Sequence, residues 1–352
     1  MPDPSQSQPH SHLGSLAIIA AVVAIGAGAF AYTAGWLSPG RLTPTKLVGA
    51  LAPPDGPALG HRRNHAKGIC FTGIFDANGN GTALSRATAF VAGQYPVVGR
   101  FNLGTPDPSA TDATVRVRGV GVQISTPDGD VWRMAMIDPP IFPVATPQAF
   151  YELLEASKSK DPEVMKAFAA AHPEFAAFGK WATTAPWTAS YAEVAFNSLN
   201  AFIFTDGGGA DHAVRWSLAP QAPVTPISAP DLEKLGPNHL EEDIMDRVSK
   251  APQRWTMVLT QADPSDPTSD PTKAWPPERR TVQAGTLVVQ KIEVEADGPC
   301  RDINFDPTVL PDGIKVSDDP FPAARSAAYA KSYDLRTSEA SYYPRTAGST
   351  KP

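Results

Sequence analysis

Cysteine is almost missing from this chain of 352 residues: Cys70 and Cys300 are the two present. That excludes a disulfide-dense scaffold and a four-thiolate metal centre, and leaves room for one bridge in an oxidising compartment. Charge is also sparse, at 19% Asp, Glu, Lys and Arg, and sums to −6 at neutral pH. A chain with that balance lacks the basic footprint that grips a phosphate backbone, so no nucleic-acid partner is expected. Helical patterns are few and no internal repeat is visible. The glycine run "DGGGAD" at 206–211 reads as a turn, because it lacks the strand-to-helix context of a dinucleotide fingerprint.

What is plentiful is proline, at 37 residues, which points to loops and edge segments rather than a helical bundle. Behind an N-terminal tail at 1–12, residues 13–37 ("LGSLAIIAAVVAIGAGAFAYTAGWL") carry no charge. At ~1.5 Å per residue a helix of that length spans a hydrocarbon core of ~30 Å, so the stretch reads as a transmembrane anchor. A cleaved signal peptide is the competing reading, since "AFA" and "YTA" are small-residue sites; against it, the run exceeds the ~7–15 residues usual for a signal core. Arg41 and Lys46 follow the run while no Lys or Arg precedes it, a weak charge bias toward a cytoplasmic domain. Residues 38–56 read as a linker, and the folded domain is expected over 57–352.

Within that domain, apolar or alternating runs predict strands at 68–75, 97–103, 114–125, 131–137, 201–205, 212–218, 254–260 and 286–294. Helices are predicted at 146–158, opened by Thr146 and Pro147, at 162–172, and within 229–251. Many strands with late helices give an α+β chain: an antiparallel eight-stranded barrel with inserted α-helices. Cys70 and Cys300 border the regions of the first and last strands, which barrel closure brings side by side, so a disulfide and two free thiols are both open readings.

Two constellations carry chemistry. "RRNHAKG" at 62–68 places His65 among basic groups at the mouth of an apolar strand. In "FPAARSAAYAKSYDLRTSE" at 321–339, Arg325 and Tyr329 lie four apart, on one face of a helix, where a guanidinium reaches a phenol. A fixed positive charge favours phenolate, a hard anionic ligand that suits ferric iron.

Read together, these stretches resemble the haem catalase family from "RRNHAKG" to "ARSAAYAKSYDLR", nearly the whole domain beyond the anchor, with "RGVGVQIST", "DPTKAWPP" and "FDPTVLPDGI" as further similar stretches. The resemblance implies a catalase-like barrel, a b-type haem (no C-x-x-C-H attachment motif occurs), and these site residues: His65 as the distal catalytic imidazole; Arg62, Arg100 (in "GRFNLG") and Arg336 on the haem propionates; Tyr329 as the axial ligand of the haem iron, with Arg325 as its partner; and Phe150 on the access route. Tyr333 reads as packing, with a radical site as the alternative.

The departures matter as much. Where ordinary catalases carry a distal Asn, "WRMAMIDPPIFP" puts Ile137, and Asp138 is the nearest polar replacement. Asn102 stands at a distal Ser position and is a candidate to hold the His65 ring, while Asn200 stands at a proximal His position. The chain therefore looks like the small catalase-related peroxidase group. The expected function is haem-dependent reduction of hydrogen peroxide, or of organic peroxides, with a small organic electron donor and weak catalase activity. A haem-binding carrier or sensor, and a fatty-acid hydroperoxide lyase or isomerase, are the alternatives. Family resemblance and the prospect of a bridge favour a membrane-anchored, periplasmic catalytic domain over the faint charge bias. The sequence does not say which oligomer forms.

Overall fold

Strict alternation makes the strands. Along Val131–Ile137, Trp132, Met134 and Met136 are buried while the residues between them are half-exposed, as in a strand with one face on a core. The structure is a computed structural model that describes residues 13–38 and 40–342. Its strands are β1 (Gly68–Ala77), β2 (Gly93–Leu103), β3 (Arg118–Ser125), β4 (Val131–Ile137), β5 (Trp187–Thr188), β6 (Phe196–Asn197), β7 (Phe202–Thr205), β8 (Asp211–Pro220), β9 (Pro226–Ile227), β10 (Gln253–Gln261), β11 (Thr281–Glu293) and β12 (Ile314–Val316). Its helices are α1 (Leu13–Thr33), α2 (Pro44–Ala50), α3 (Pro147–Lys158), α4 (Pro162–Ala171), α5 (Phe175–Thr184), α6 (Ala229–Leu232), α7 (His239–Lys250) and α8 (Phe321–Ser338).

Eight strands close a ring in the order β1–β2–β3–β4–β6–β8–β10–β11 and back to β1, every neighbour antiparallel. The expected barrel is present, with one strand exchanged. The predicted strand at 201–205 lies outside the ring as β7, paired with β8 and β12. Its expected place is taken by β6, whose two residues are too short to show a period. The strand predicted at 114–125 begins only at Arg118, after a 3₁₀ turn. The helix expected within 229–251 is broken between Leu232 and His239, around Gly236-Pro237, where proline removes a donor and fixes φ. Two helices had no prediction. α5 lacks a capping side chain and a buried residue, and α2 lies in the stretch read as a linker, where Thr43 accepts from the Lys46 amide as its N-cap.

The barrel interior is solid. Phe101 packs against Tyr191 and Trp255 at ring-centre distances of 5.0 and 5.5 Å, and Trp132 meets Trp216 at 5.2 Å. A ligand must therefore bind outside the barrel wall. Cys70 at the start of β1 and Cys300 beyond β11 are joined by a disulfide, 230 residues apart in sequence. α1 is long and apolar enough to cross a membrane, and its large side chains, such as Ile18, Val23 and Ile25, are exposed.

Candidate active site

Pairing register lays out one wall. Gly68, Asn102, Gly119 and Ile137 form one row across β1 to β4, and Cys70, Arg100, Gly121 and Ala135 form the next on the same face. The glycines of β3 keep this outer surface flat: a Cβ on Gly119 would stand 2.4 Å from Asn102 Oδ1, and one on Gly121 2.7 Å from the Phe305 ring. Helices α2, α3 and α8 cover the wall, enclosing a cavity of about 560 Å³, within the ~300–1,000 Å³ usual for ligand pockets.

His65 enters this cavity on a strained turn. Its φ is +55°, and the other non-glycine residue with positive φ among the described residues, Leu199 at +62°, lines the same cavity. Such strain persists where surrounding bonds over-determine it, and it is a pointer to function. Here the His65 amide donates to Asn64 Oδ1 at 2.9 Å, and Arg100 Nη1 donates to the His65 carbonyl at 2.8 Å. The ring nitrogen Nδ1 lies 2.7 Å from Asn102 Oδ1, while Asn102 Nδ2 donates to the Arg100 carbonyl at 3.2 Å. That second bond sets the amide's orientation, so Oδ1 must accept from Nδ1–H and the proton-accepting lone pair is left on Nε2. Burial pushes the imidazole down to about 4, against a smaller upward pull from the Asn102 bond; the ring is neutral at pH 7.

Tyr329 reaches the cavity from α8. Arg325 Nη2 lies 3.2 Å from its hydroxyl and 2.8 Å from the Ala135 carbonyl, and Arg325 Nη1 donates to Asn200 Oδ1 at 2.8 Å. Asn200 in turn donates to Asp319 at 2.9 Å. The i,i+4 pair is thus pinned to β4 and, through Asn200, to a buried carboxylate.

Arg62, Arg100 and Arg336 also come together at the cavity, around a residue that sequence reasoning missed. Buried Glu295 pairs with Arg62 and with Arg100, the latter at 2.6 Å. Burial alone would raise the Glu295 carboxyl, but the Arg100 and Arg62 guanidiniums outweigh it and hold it below its ordinary value. Arg62 also donates to the carbonyls of Cys300 and Ile303, at 3.1 Å each, and Arg336 to that of Arg301. No motif marked Glu295, because its partners lie 195 and 233 residues away.

Phe150 lines the cavity and packs on Phe142 at 5.3 Å. Tyr333 lines it too, with the Arg336 guanidinium 5.0 Å above its ring. Ile137 presents an apolar side chain to the cavity. Asp138 is not the polar replacement expected: it does not line the cavity, and its carboxylate accepts from the Arg118 amide at 2.9 Å and faces Arg116 at 3.7 Å. Burial raises that carboxyl to about 6.

Fold and site together define a catalase-like barrel. A family model described as Catalase matches residues 30–342, and the chain belongs to the catalase family. It is 34% identical to a catalase-related peroxidase of Synechococcus elongatus over 92% of this chain and 96% of that protein. A catalase-related peroxidase of Mycolicibacterium paratuberculosis is 30% identical, over 85% of this chain and 96% of its own length. Among solved structures, catalase A from Saccharomyces cerevisiae superposes with a TM-score of 0.71 at 17% identity, covering 78% of this chain and 61% of that one. Membership implies haem, and the residues fit it: a flat glycine-cleared wall, an apolar cavity of ligand size, a guanidinium-paired phenol and a neutral imidazole.

Proposed function

We propose that this oxidoreductase of the catalase family reduces hydrogen peroxide at a b-type haem, drawing on an organic hydrogen donor, with weak catalase activity. The observation that carries the reading is the shared cavity of His65 and Tyr329, one neutral and the other beside a fixed positive charge. When bound, haem supplies the iron that accepts peroxide and its oxidising equivalents. Tyr329 would hold that iron through its phenol oxygen, which Arg325 keeps in place. Arg62, Arg100 and Arg336 would meet the haem carboxylates, and Arg100, bonded to Glu295 and to the His65 and Ala66 carbonyls, would also brace the turn that carries His65. His65 Nε2 takes a proton from the near peroxide oxygen and returns it to the leaving one, general acid–base work suited to a buried imidazole. Ile137 offers peroxide no hydrogen bond, so a second peroxide is poorly oriented as a reductant and an organic donor is favoured.

The reading extends to location: a chain anchored by α1 with its catalytic domain on the periplasmic side. The disulfide supports export. The opposing charge bias weakens, because Arg41 donates to the Tyr32 carbonyl and Lys46 to the Arg41 carbonyl, both at 2.9 Å; these residues have a structural use at the end of α1.

The test is an absorption spectrum and a donor assay on the purified full-length protein. A ferric, Tyr-ligated spectrum with peroxide-dependent oxidation of an aromatic donor is expected. Bound haem without turnover would overturn the peroxidase reading in favour of a carrier.

A further inference from the structure

The element that follows α1 in the chain, α2, is itself part of the cavity wall, and the joint between α1 and α2 is folded rather than loose. The α2 N-cap, Thr43, packs on the turn that closes α1: a Cβ on buried Gly35 would stand 2.9 Å from Thr43 Cγ2. The Arg41 guanidinium lies 4.7 Å over the Tyr32 ring and tightens the same turn. Beyond Thr43, Leu47 and Val48 bury against Ala328 of α8, and both line the cavity that holds His65 and Tyr329. α2 has 7 residues, or about 10 Å at 1.5 Å per residue. One short helix therefore separates the end of α1 from the cavity. Facing α2, Leu153 and Leu154 of α3 continue the apolar lining as far as exposed Ser157 and Lys158, where the cavity reaches the surface.

Hydrogen peroxide is small and hydrophilic and needs no apolar corridor. The second reactant does, if it lives in lipid. We infer that the hydrogen donor is a membrane-dissolved quinol, a hydroquinone with a long apolar tail, which enters between α2 and α3. The inference rests on the membrane-anchored peroxidase reading. The step balances: the two O–H bonds of the hydroquinone break, its two electrons and two protons pass to peroxide, the O–O bond breaks, two waters leave, and the quinone returns to the bilayer.

The haem-loaded full-length protein in phosphatidylcholine vesicles containing a long-tailed ubiquinol tests this, with quinone formation followed by absorbance after peroxide is added. Peroxide-dependent quinone formation is expected, and a photoreactive azidoquinone should label the peptides of α2 and α3. Leu51→Glu, which sets a charge in the corridor, should cut the ratio of quinol to water-soluble donor turnover about tenfold, or ~1.4 kcal/mol, and lower the labelling. Protein that fails to float with the vesicles removes the anchor reading, and this inference with it. Failure to oxidise any donor removes the peroxidase reading, with the same consequence. If the protein floats and oxidises a water-soluble aromatic donor but leaves the quinol untouched or α2 and α3 unlabelled, the donor inference alone falls. It also falls if a lipid hydroperoxide is converted while the quinol is not oxidised, because the corridor would then serve the oxidant.

Discussion

The surroundings of His65 and those of Tyr329 are built on opposite principles. The imidazole sits on a strained turn with one side-chain partner, Asn102, and burial dominates its chemistry. The phenol sits on a regular helix beside a guanidinium tied to a strand carbonyl and to Asn200, which is itself tied to Asp319. Burial keeps one group uncharged; a guanidinium fixes the position of the other. A single cavity thus holds a neutral imidazole able to accept a proton and a phenol positioned by a guanidinium.

The largest expected effect breaks the His65 side alone. His65→Ala should lower peroxide-dependent donor oxidation by roughly 10²–10⁴-fold, the usual worth of a positioned acid–base group, while the haem spectrum persists. On the other side, Arg325→Ala should weaken iron retention by about 10–100-fold, as loss of a partner that orients a ligand does. Haem content measured against competing apomyoglobin reads it, and Arg325→Lys should recover only part, because a point charge cannot bridge Asn200, Ala135 and Tyr329 at once.

Ile137→Asn sharpens the contrast by placing a hydrogen-bonding side chain in the cavity that holds His65. Oxygen release from peroxide should rise relative to donor oxidation, and an unchanged ratio would remove Ile137 as the cause of donor preference. Smallest is Asn102→Ala, which should cost about 1 kcal/mol, or several-fold in rate. Because the Asn102 bond is what raises the imidazole against burial, its loss should move the acid limb of the rate profile lower still.

The acid limb itself should fall near pH 4 and not near 6.5, since His65 takes its proton at about 4 in the folded protein. The sign for stability follows. Between about 4 and 6.5 the unfolded chain binds the extra proton, so the contribution of this group is full above about 6.5 and is lost as pH falls to about 4. Thermal unfolding across that window checks it.

Alternation was legible along β4, predicted at 131–137 and found there, because a strand with one buried face writes its period into adjacent residues. The Thr146 cap and Pro147 marked α3 equally well. Short-range chemistry was legible for the same reason: Arg325 and Tyr329 meet one helical turn apart. Asn102 as the partner of His65 was legible only through family resemblance, 37 residues away. The two-residue strand β6 and the uncapped helix α5 wrote too little into the chain to be read.

By itself the sequence determined the apolar helix, the strand alternation, His65 in its basic turn and the Arg325–Tyr329 pair, all properties of residues near one another in the chain; the loss of a polar group at Ile137 was legible only through the family resemblance. Only the tertiary structure decided that Glu295 gathers Arg62 and Arg100, that Asp138 turns away from the cavity, and that α2 carries the cavity wall to the end of α1. Each of these depends on barrel closure or helix docking, which bring together groups that no spacing in the chain relates.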